Sequence, residues 1–176
     1  MNKIKIQYFK IPYGELIIGS FEEKLCLCDW RYRKMRESID KRIKTGLDAN
    51  FSEETSDVVE KTKIQLAEYF NEERKEFDIP LLFVGSDFQK SIWDALMQIP
   101  YGTSGTYLDL SRIIGNEKAI RAVATANGAN AISIIVPCHR IIGSDGKMVG
   151  YAGGLAVKKK LLSLENALDE SQLSLF

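Results

Sequence analysis

Histidine and cysteine are scarce in this sequence, whose 176 residues include one His and three Cys. A structural zinc site needs about four Cys, His or carboxylate ligands. Cys26 and Cys28 lie more than one hundred residues before Cys138, and no second His is available. We therefore expect no metal site, and we interpret Cys26 and Cys28 as small core residues of a strand.

Long hydrophobic runs are also absent. The apolar stretch at 131–136 is far shorter than the roughly 20 residues that a membrane helix requires. Residues 3–8 alternate in character and lack the continuous apolar core of a signal peptide. We therefore expect no membrane association, a cytoplasmic location and reduced cysteines.

The charge of the chain is balanced overall but unevenly distributed. The formal net charge is zero, whereas residues 86–160 contain nine Lys or Arg against five Asp or Glu, a local charge of +4. This modestly basic region is compatible with a small DNA-binding surface. The composition, 45% hydrophobic and 27% charged, is that of an ordinary globular protein.

The first 85 residues predict a strand-rich region. Alternating apolar residues separated by turn-forming residues predict a β-meander with strands at 4–9, 15–19 and 25–30. Further along, the patterns predict a solvated helix or loop at 31–48, a helix at about 53–71 capped by Ser52 or Ser56, and an edge strand or extended linker at 77–83.

From Gly85 onward the pattern becomes helical. The sequence predicts a helix from Ser86 to Ile99, a short helix from Thr106 to Gly115, a third helix at 117–127 capped by Asn116, a hairpin at 141–148 and a last helix at 156–168. Two short helices joined by a Gly-containing turn are typical of a helix-turn-helix, and equally of a small helical bundle.

The single histidine follows a cysteine directly, in the segment Pro137-Cys138-His139-Arg140. A free thiol is only a few per cent thiolate at neutral pH, so a nucleophilic cysteine needs a base or a positive environment. His139 can serve as that base, directly or through one bridging water. Glu165, on the last predicted helix, is a candidate to hold the imidazole. The alternative is a buried structural Cys138 beside a capping His139.

Several separated motifs together resemble the active-site region of the O6-alkylguanine-DNA alkyltransferases. Two Ile follow the Pro-Cys-His-Arg segment, and the resemblance extends over residues 83–166. The other matching motifs, in the family's order, are Gly102-Thr103, Thr106-Tyr107, Gly115-Asn116, Arg121-Ala122-Val123, Asn130 and Tyr151-Ala152-Gly153-Gly154.

The resemblance implies an α/β (α+β) protein with two domains. We expect a small, β-rich, ribonuclease-H-like N-terminal domain at 1–80. This expectation rests on the strand-turn-strand sequence pattern alone. A helical alkyltransferase domain with a helix-turn-helix and the active-site cysteine is expected at 83–168, followed by a flexible tail at 169–176.

The resemblance also implies the reaction, that of a methylated-DNA--protein-cysteine S-methyltransferase. A methyl or larger alkyl group passes directly from O6 of guanine, with O4 of thymine as a second candidate, to Cys138. The product thioether is a poor leaving group, so each molecule acts once, and no cofactor is needed. The damaged base must be flipped out of duplex DNA, because a stacked base cannot reach a pocketed thiol.

The family's residue roles transfer to matching positions of this sequence. A relay of Glu165, His139 and a water deprotonates Cys138. Tyr107 donates toward the departing guanine and crowds the 3′ phosphate during flipping, and Arg121 fills the gap left by the base.

Further residues complete the expected site. Asn130 lies in the turn before the cysteine, Ala122, Ala126 and Gly128 allow close approach of DNA, and Ile141, Tyr151, Ala152 and Gly153 form the guanine pocket. Simpler interpretations stay open at three places. Arg121 could contact a phosphate or be a solvated helix residue, Tyr151 could pack in a hairpin, and the small residues could serve tight helix packing.

The chain ends in a motif of its own, which resembles the pentapeptide by which bacterial DNA-processing proteins bind the replicative sliding clamp: Gln172, Leu173, Ser174, Leu175 and Phe176. A motif at a free C-terminus is well placed to act as a tether. We expect a monomer that acts on duplex DNA and binds the clamp through this tail; the alternative is a tail folded onto the body.

Two other function classes also use a reactive cysteine. A thiol-sensing DNA-binding regulator would use Cys138 as a redox switch and would typically bind its operator as a dimer. A Cys-His hydrolase would turn over repeatedly without DNA. Neither explains why residues of the required types occur together with this spacing: Tyr107, Arg121, Asn130, Cys138 and Glu165.

Overall fold

The computed structural model describes residues 2–168, which fall into two compact units. Of the described residues, the first unit comprises 2–86 together with Ala131–Ile135. The second comprises Asp87–Asn130 and residues 136–168. The chain therefore leaves the second unit and returns to it immediately before the Pro-Cys-His-Arg segment.

A four-stranded sheet forms the first unit. Its strands are β1 (Asn2–Ile11), β2 (Gly14–Phe21), β3 (Lys24–Trp30) and β4 (Ala49–Ser52). The order across the sheet is β3-β2-β1-β4, with β1, β2 and β3 antiparallel and β4 parallel to β1. The predicted β-meander is confirmed. Strand β4 was not predicted, because it has only four residues and its pairing depends on a distant partner, β1.

Two helices accompany this sheet, α1 (Arg36–Leu47) and α2 (Asp57–Phe70). In α1, two buried isoleucines join the core that the inner sheet residues form, so the charged segment is a helix rather than a loop. Ser56 caps α2, because its hydroxyl accepts a hydrogen bond from the Val59 N–H at 3.2 Å. The helix therefore begins at Asp57, later than predicted, and packs on the sheet.

Two segments outside the sheet are bound to β3. The Leu25 N–H donates to the Pro80 carbonyl at 2.8 Å, and the Leu25 carbonyl accepts from the Leu82 N–H at 2.8 Å. Residues 77–83 therefore form the predicted extended linker, which pairs with β3 only through an isolated β-bridge between Leu25 and Leu81. The segment Ala131–Ile135 pairs with Cys28 through Cys28 N–H to Ala131 O at 2.9 Å and Ser133 N–H to Cys28 O at 2.6 Å. Ile134 in this segment has φ +71°, a backbone conformation that is unfavourable for a β-branched residue.

The second unit contains α3 (Asp87–Leu96), α4 (Tyr107–Ile113), α5 (Ile120–Gly128) and α6 (Leu155–Leu164). The first three pack against one another, and the Trp93 indole N–H donates to the Ala126 carbonyl at 2.9 Å. Thr106 and Asp109 form a capping box at the start of α4. The predicted pair of short helices joined by a turn containing Gly115 is confirmed.

Three details of this unit differ from the prediction. A 3₁₀ turn, Glu117–Ala119, precedes α5, and the Asn116 side chain makes no cap hydrogen bond. Helix α3 ends at Leu96, short of Ile99. Helix α6 ends at Leu164, so that Glu165 is its C-cap residue rather than a residue within the helix.

The predicted hairpin at 141–148 is wrong. Its first half is β6 (Ile141–Ile142), which pairs in parallel with β5 (Gly105–Thr106), a strand the sequence analysis missed. The following residues close a turn through Gly143 N–H to Lys147 O at 2.8 Å, and 143–150 contains no strand. Across residues 2–168, no helix is long and apolar enough to cross a membrane.

Candidate active site

Cys138 begins a buried 3₁₀ turn, Cys138–Arg140, that leads into β6. Its side chain is 4% exposed, and His139 is fully buried. The turn closes through Arg140 N–H to Pro137 O at 3.0 Å. The buried Asn130 amide donates to the Val136 carbonyl at 2.9 Å, so Asn130 holds the chain that enters the turn.

A buried carboxylate joins the turn to the end of α6. The Glu165 carboxylate lies 2.7 Å from Nε2 of His139 and accepts from Nε of Arg140 at 2.7 Å and from its NH2 group at 3.2 Å. Arg140 also donates to the Ile99 carbonyl at 2.6 Å. The sequence prediction that Glu165 holds the imidazole is consistent with these contacts, and Arg140 adds a permanently charged partner.

The charges in this cluster favour an ionised Glu165 and a neutral His139. Burial alone would raise the pKa of Glu165, but the hydrogen bonds and charges of His139 and Arg140 lower it to about 2. Burial lowers the pKa of His139, and this outweighs the raising effect of Glu165. Since Arg140 keeps Glu165 ionised, the neutral imidazole donates Nε2–H to the carboxylate.

This hydrogen bond determines which histidine nitrogen can act as a base. With Nε2 protonated, Nδ1 carries the lone pair. Nδ1 is buried and has no hydrogen-bond partner among residues 2–168. A buried acceptor without a partner is costly, so Nδ1 is suited to take a proton from a group or a water beside it.

Two tyrosines border the cysteine and histidine. Burial raises the pKa of Tyr107, the negative charge of Cys138 raises it further, and a hydrogen bond from the Asn127 side chain opposes both. Tyr107 therefore lies within electrostatic range of Cys138. The Tyr151 ring lies edge-on to the His139 ring, with 6.4 Å between centroids.

The other expected pocket residues lie on either side of this tyrosine in sequence. Ile141 is fully buried in β6. Ala152 and Gly153 are half-buried in the loop that precedes α6. The pocket residues thus come from one short strand and one loop of the same unit.

Helix α5 exposes part of the predicted DNA-binding set. Arg121, Ala122 and Gly128 are exposed, and a Cβ placed on Gly128 would meet no atom within 4 Å. Ala126 differs, because it is buried and its carbonyl accepts from Trp93. Ala126 therefore packs between the helices and is not part of the exposed face.

Three further residues belong to this site, and their roles were not predicted from the sequence. Arg140 was identified within the motif but not as the partner of Glu165, and Asn127 was not identified as the partner of Tyr107. Lys158 on α6 is fully buried, and its ammonium donates to the Val149 carbonyl at 2.8 Å. No sequence signal separates Lys158 from the lysines that follow it.

The two cysteines of β3 differ from Cys138. Both are free thiols in the core, which confirms their interpretation as core residues. Burial raises the pKa of both thiols, to about 12 for Cys26. Within residues 2–168, no group of three or more His, Cys, Asp or Glu side chains is arranged to hold a metal ion.

Both parts of the chain match family models. The model described as "6-O-methylguanine DNA methyltransferase, DNA binding domain" matches residues 87–167, and the one described as the "ribonuclease-like domain" of the same protein matches residues 4–83. The chain belongs to this family. The resemblance seen in the sequence is thereby confirmed, as is the predicted α/β fold class.

Individual relatives agree with this family assignment. The chain is 41% identical over 160 residues to the methylated-DNA--protein-cysteine methyltransferase of Methanosarcina acetivorans, covering 90% of this chain and 96% of that protein. It is 40% identical over 155 residues to the constitutive methyltransferase of that name from Bacillus subtilis, covering 88% and 90%.

Solved structures resemble the whole chain. The crystal structure of Mycobacterium tuberculosis O6-methylguanine methyltransferase has a TM-score of 0.78 at 35% identity, covering 98% of this chain and 99% of that one. A crystal structure of Mycobacterium tuberculosis OGT in complex with DNA has the same TM-score and coverage at 33% identity.

Proposed function

We propose that this protein repairs DNA by transferring an alkyl group from O6 of guanine to its own Cys138. The observation that carries this proposal is the buried cluster in which Glu165 orients a neutral His139 directly beside Cys138 in the chain. Membership of the methyltransferase family supports it. The cluster supplies a base for a thiol, which an alkyl acceptor requires.

The reaction balances with the residues present. The Cys138 thiol gives its proton, through a bridging water, to Nδ1 of His139. The thiolate sulfur then attacks the alkyl carbon, an S–C bond forms, and the C–O6 bond breaks with its electron pair left on guanine. Tyr107 donates a hydrogen bond to the departing guanine, because a purine leaves more readily when its developing negative charge is stabilised. The guanine anion then takes up a proton from water and His139 releases its proton to water, so the products are a thioether and neutral guanine.

The stoichiometry follows from the product. The product on Cys138 is a thioether, which is a poor leaving group, and the reaction regenerates no thiol. Each molecule therefore acts once. No electron transfer takes place and no cofactor is required.

Access to the thiol requires a flipped base. Cys138 is buried, so the O6 substituent of a stacked guanine cannot reach it. The exposed face of α5, with Arg121, Ala122 and Gly128, is the surface we assign to DNA. Arg121 fills the space that the flipped base leaves, and the small residues allow the backbone to approach closely. The structure of a relative in complex with DNA supports a DNA-binding role for this domain.

The decisive experiment is the intact and peptide mass of the protein after mixing with a duplex that contains one O6-methylguanine. We expect one added methyl group, on the peptide with Cys138, that saturates at one equivalent. Cys138→Ser should show no transfer, and the matched control Cys26→Ser should keep it. An unmodified protein that still holds the lesion duplex tightly would indicate a lesion-recognition module and contradict the proposal.

We also propose that the C-terminal motif binds the replicative sliding clamp. Residues 169–176 lie outside the described part of the structure, so this proposal, like the predicted flexible tail, rests on the motif at 172–176 alone. Deleting 172–176 should abolish clamp binding without slowing repair of a free oligonucleotide. Unchanged clamp binding after the deletion would refute it.

We propose that the active form is a cytoplasmic monomer. All groups assigned to the reaction lie between Tyr107 and Glu165 of one chain, so no second copy is needed to complete the site. Cys138 forms no disulfide within residues 2–168, and thiols of this kind stay reduced in the cytoplasm. Light scattering of the protein with and without duplex DNA should give the mass of one chain; a stable dimer would favour the regulator alternative.

A further inference from the structure

Lys158 has an unusual environment for a lysine. Its side chain is fully buried, whereas Lys160, two residues later on α6, is exposed. Its ammonium donates to the carbonyls of Val149 at 2.8 Å and Gly150 at 3.5 Å. Burying an ammonium is expensive unless a negative charge compensates it. Two neutral carbonyls provide hydrogen bonds but no compensating charge.

No carboxylate supplies that charge. Among residues 2–168, Lys158 forms no ion pair with an Asp or Glu, and the Glu165 carboxylate is engaged by His139 and Arg140. Helix α6 packs against the turn that contains Cys138. Burial lowers the pKa of Lys158 to about 8, and the negative charge of Cys138 is the effect that opposes the lowering.

His139 is a second titratable group within electrostatic range of Lys158. The positive charge of Lys158 helps to lower the pKa of His139, and the imidazole is neutral in the resting site. His139 becomes positive only when it accepts the thiol proton, so Lys158 is the positive charge that is present before the thiolate forms and favours its formation. In the buried cluster, Arg140 balances Glu165, so Lys158 is the positive charge that remains to balance a thiolate on Cys138.

We propose that Lys158 is a positioning residue whose ammonium, held by the Val149 and Gly150 carbonyls, stabilises the Cys138 thiolate before alkyl transfer. This inference rests on the proposed function only in taking Cys138 as the reacting thiol. The Lys158 ammonium is thus an additional charged group in that site. It does not touch the substrate and acts through the Cys138 sulfur.

Alkylation then changes the environment of Lys158. The thiolate becomes a neutral thioether, so the buried ammonium loses its counter-charge while its carbonyl contacts persist. The pKa of Lys158 must therefore fall on alkylation. This consequence separates a charge-pairing role from a purely structural one, because loop anchoring alone is insensitive to the charge on sulfur.

The first test measures the reactivity of Cys138 without DNA. The intact chain is treated with iodoacetamide over a range of pH, and modification of the Cys138 peptide is followed by mass spectrometry. In Lys158→Met we expect the midpoint of the pH–rate profile to move up by about one unit and the rate at neutral pH to fall about tenfold. The matched control Lys160→Met should reproduce the wild-type profile.

The outcomes of this test are distinct. A Lys158→Met midpoint equal to that of the wild type overturns the proposal, even if repair of alkylated DNA becomes slower. Because the assay uses no DNA, its result is independent of whether guanine O6 is the natural alkyl donor. Failure of the proposed function would instead appear as absent methyl transfer from the lesion duplex in the wild type.

A second test keeps the positive charge at position 158. In protein with 13C-labelled lysine side chains, the Lys158 signal is assigned by comparison with Lys158→Arg, which keeps a positive charge. Its pKa is then measured before and after modification of Cys138 by iodoacetamide. We expect the pKa to fall after modification, and an unchanged pKa would overturn the proposal.

Discussion

Two buried carboxylates, one in each unit, have different partners. Asp29 in the first unit is fully buried and is bound by Arg33 at 3.1 Å and Arg36 at 3.0 Å, with the Ser133 hydroxyl donating at 2.9 Å. Its partners do not change protonation state at physiological pH. Asp29 therefore has the features of a structural anchor.

Glu165 in the second unit is 1% exposed but has mixed partners. Arg140 is permanently charged, whereas His139 is an imidazole whose pKa lies below its ordinary value. One partner keeps the carboxylate ionised and the other can gain a proton. Burial and ion pairing alone therefore do not distinguish a catalytic carboxylate from a structural one. The distinguishing feature is a titratable partner such as His139, whose Nδ1 can accept a proton.

Replacing Asp29 should have the largest effect on stability. Asp29→Asn leaves two guanidinium groups beside a neutral amide, and breaking a buried ion pair typically costs about 3–5 kcal/mol of unfolding free energy. Urea unfolding measures this loss. The folded fraction should still take up one methyl group per molecule at a rate close to that of the wild type.

The matched control for this variant is Asp78→Asn, because the Asp78 side chain pairs with Lys61 at the surface and is 91% exposed. Its unfolding free energy should be nearly unchanged. A slow alkyl transfer in folded Asp29→Asn protein would contradict a purely structural role for Asp29.

Replacing Glu165 should affect the reaction. Glu165→Gln removes the charge that orients and supports His139, and loss of general-base assistance typically lowers a rate by about 100-fold or more. Single-turnover methyl transfer from an O6-methylguanine duplex, normalised to folded protein, measures this rate. Glu117→Gln is the matched control, since its ion pair with Arg112 is exposed. A normal rate in folded Glu165→Gln protein would place Glu165 in the same structural class as Asp29.

The smallest expected effect is a change in the pKa of His139, and it can be measured directly. Because the chain has one histidine, a single imidazole signal can be followed by NMR without assignment. We expect a pKa below the ordinary value near 6.5, lowered further in Glu165→Gln, where the raising effect of the carboxylate is lost. Asp29→Asn should leave it unchanged. A pKa above 6.5 would mean that His139 forms a charged ion pair at rest.

The free energy of unfolding should decrease as the pH falls, because of His139 and Glu165. The unfolded chain binds protons more readily than the folded chain at His139 and at Glu165, because both folded pKa values are lowered. The contribution of His139 is complete above about pH 6.5 and is lost as pH falls through its folded pKa. That of Glu165 is complete above its ordinary pKa and is lost as pH approaches about 2. Urea unfolding between pH 7.5 and the acid range measures both.

Local patterns predicted much of the fold. Alternation between turns predicted β1, β2 and β3, and helical spacing with capping residues predicted α2, α4 and α5, because these signals lie within about ten residues of chain. Strands β4, β5 and β6 were missed or misread. Each is two to four residues long and exists because of a parallel partner elsewhere in the chain, which local sequence does not encode.

The candidate site shows the same division. Cys138 and His139 are neighbours in sequence, so nucleophile and base could be identified from composition and chemistry, and the family motifs indicated Tyr107, Asn130 and Glu165. The partners that set protonation states could not be identified in this way. Burial and charge at Arg140 and Lys158 depend on the packing of α6 against the turn at 138–140.

The sequence by itself determined the β-meander, the helix-turn-helix pattern, the family and the cysteine–histidine pair, because these depend on residue identity and short-range spacing. Only the tertiary structure decided that 131–135 belongs with β3, that Ala126 is buried, that Glu165 binds both His139 and Arg140, and that Lys158 is buried without a carboxylate. Hydrogen bonds, desolvation and electrostatic coupling act between atoms that are close in space, whatever their separation along the chain.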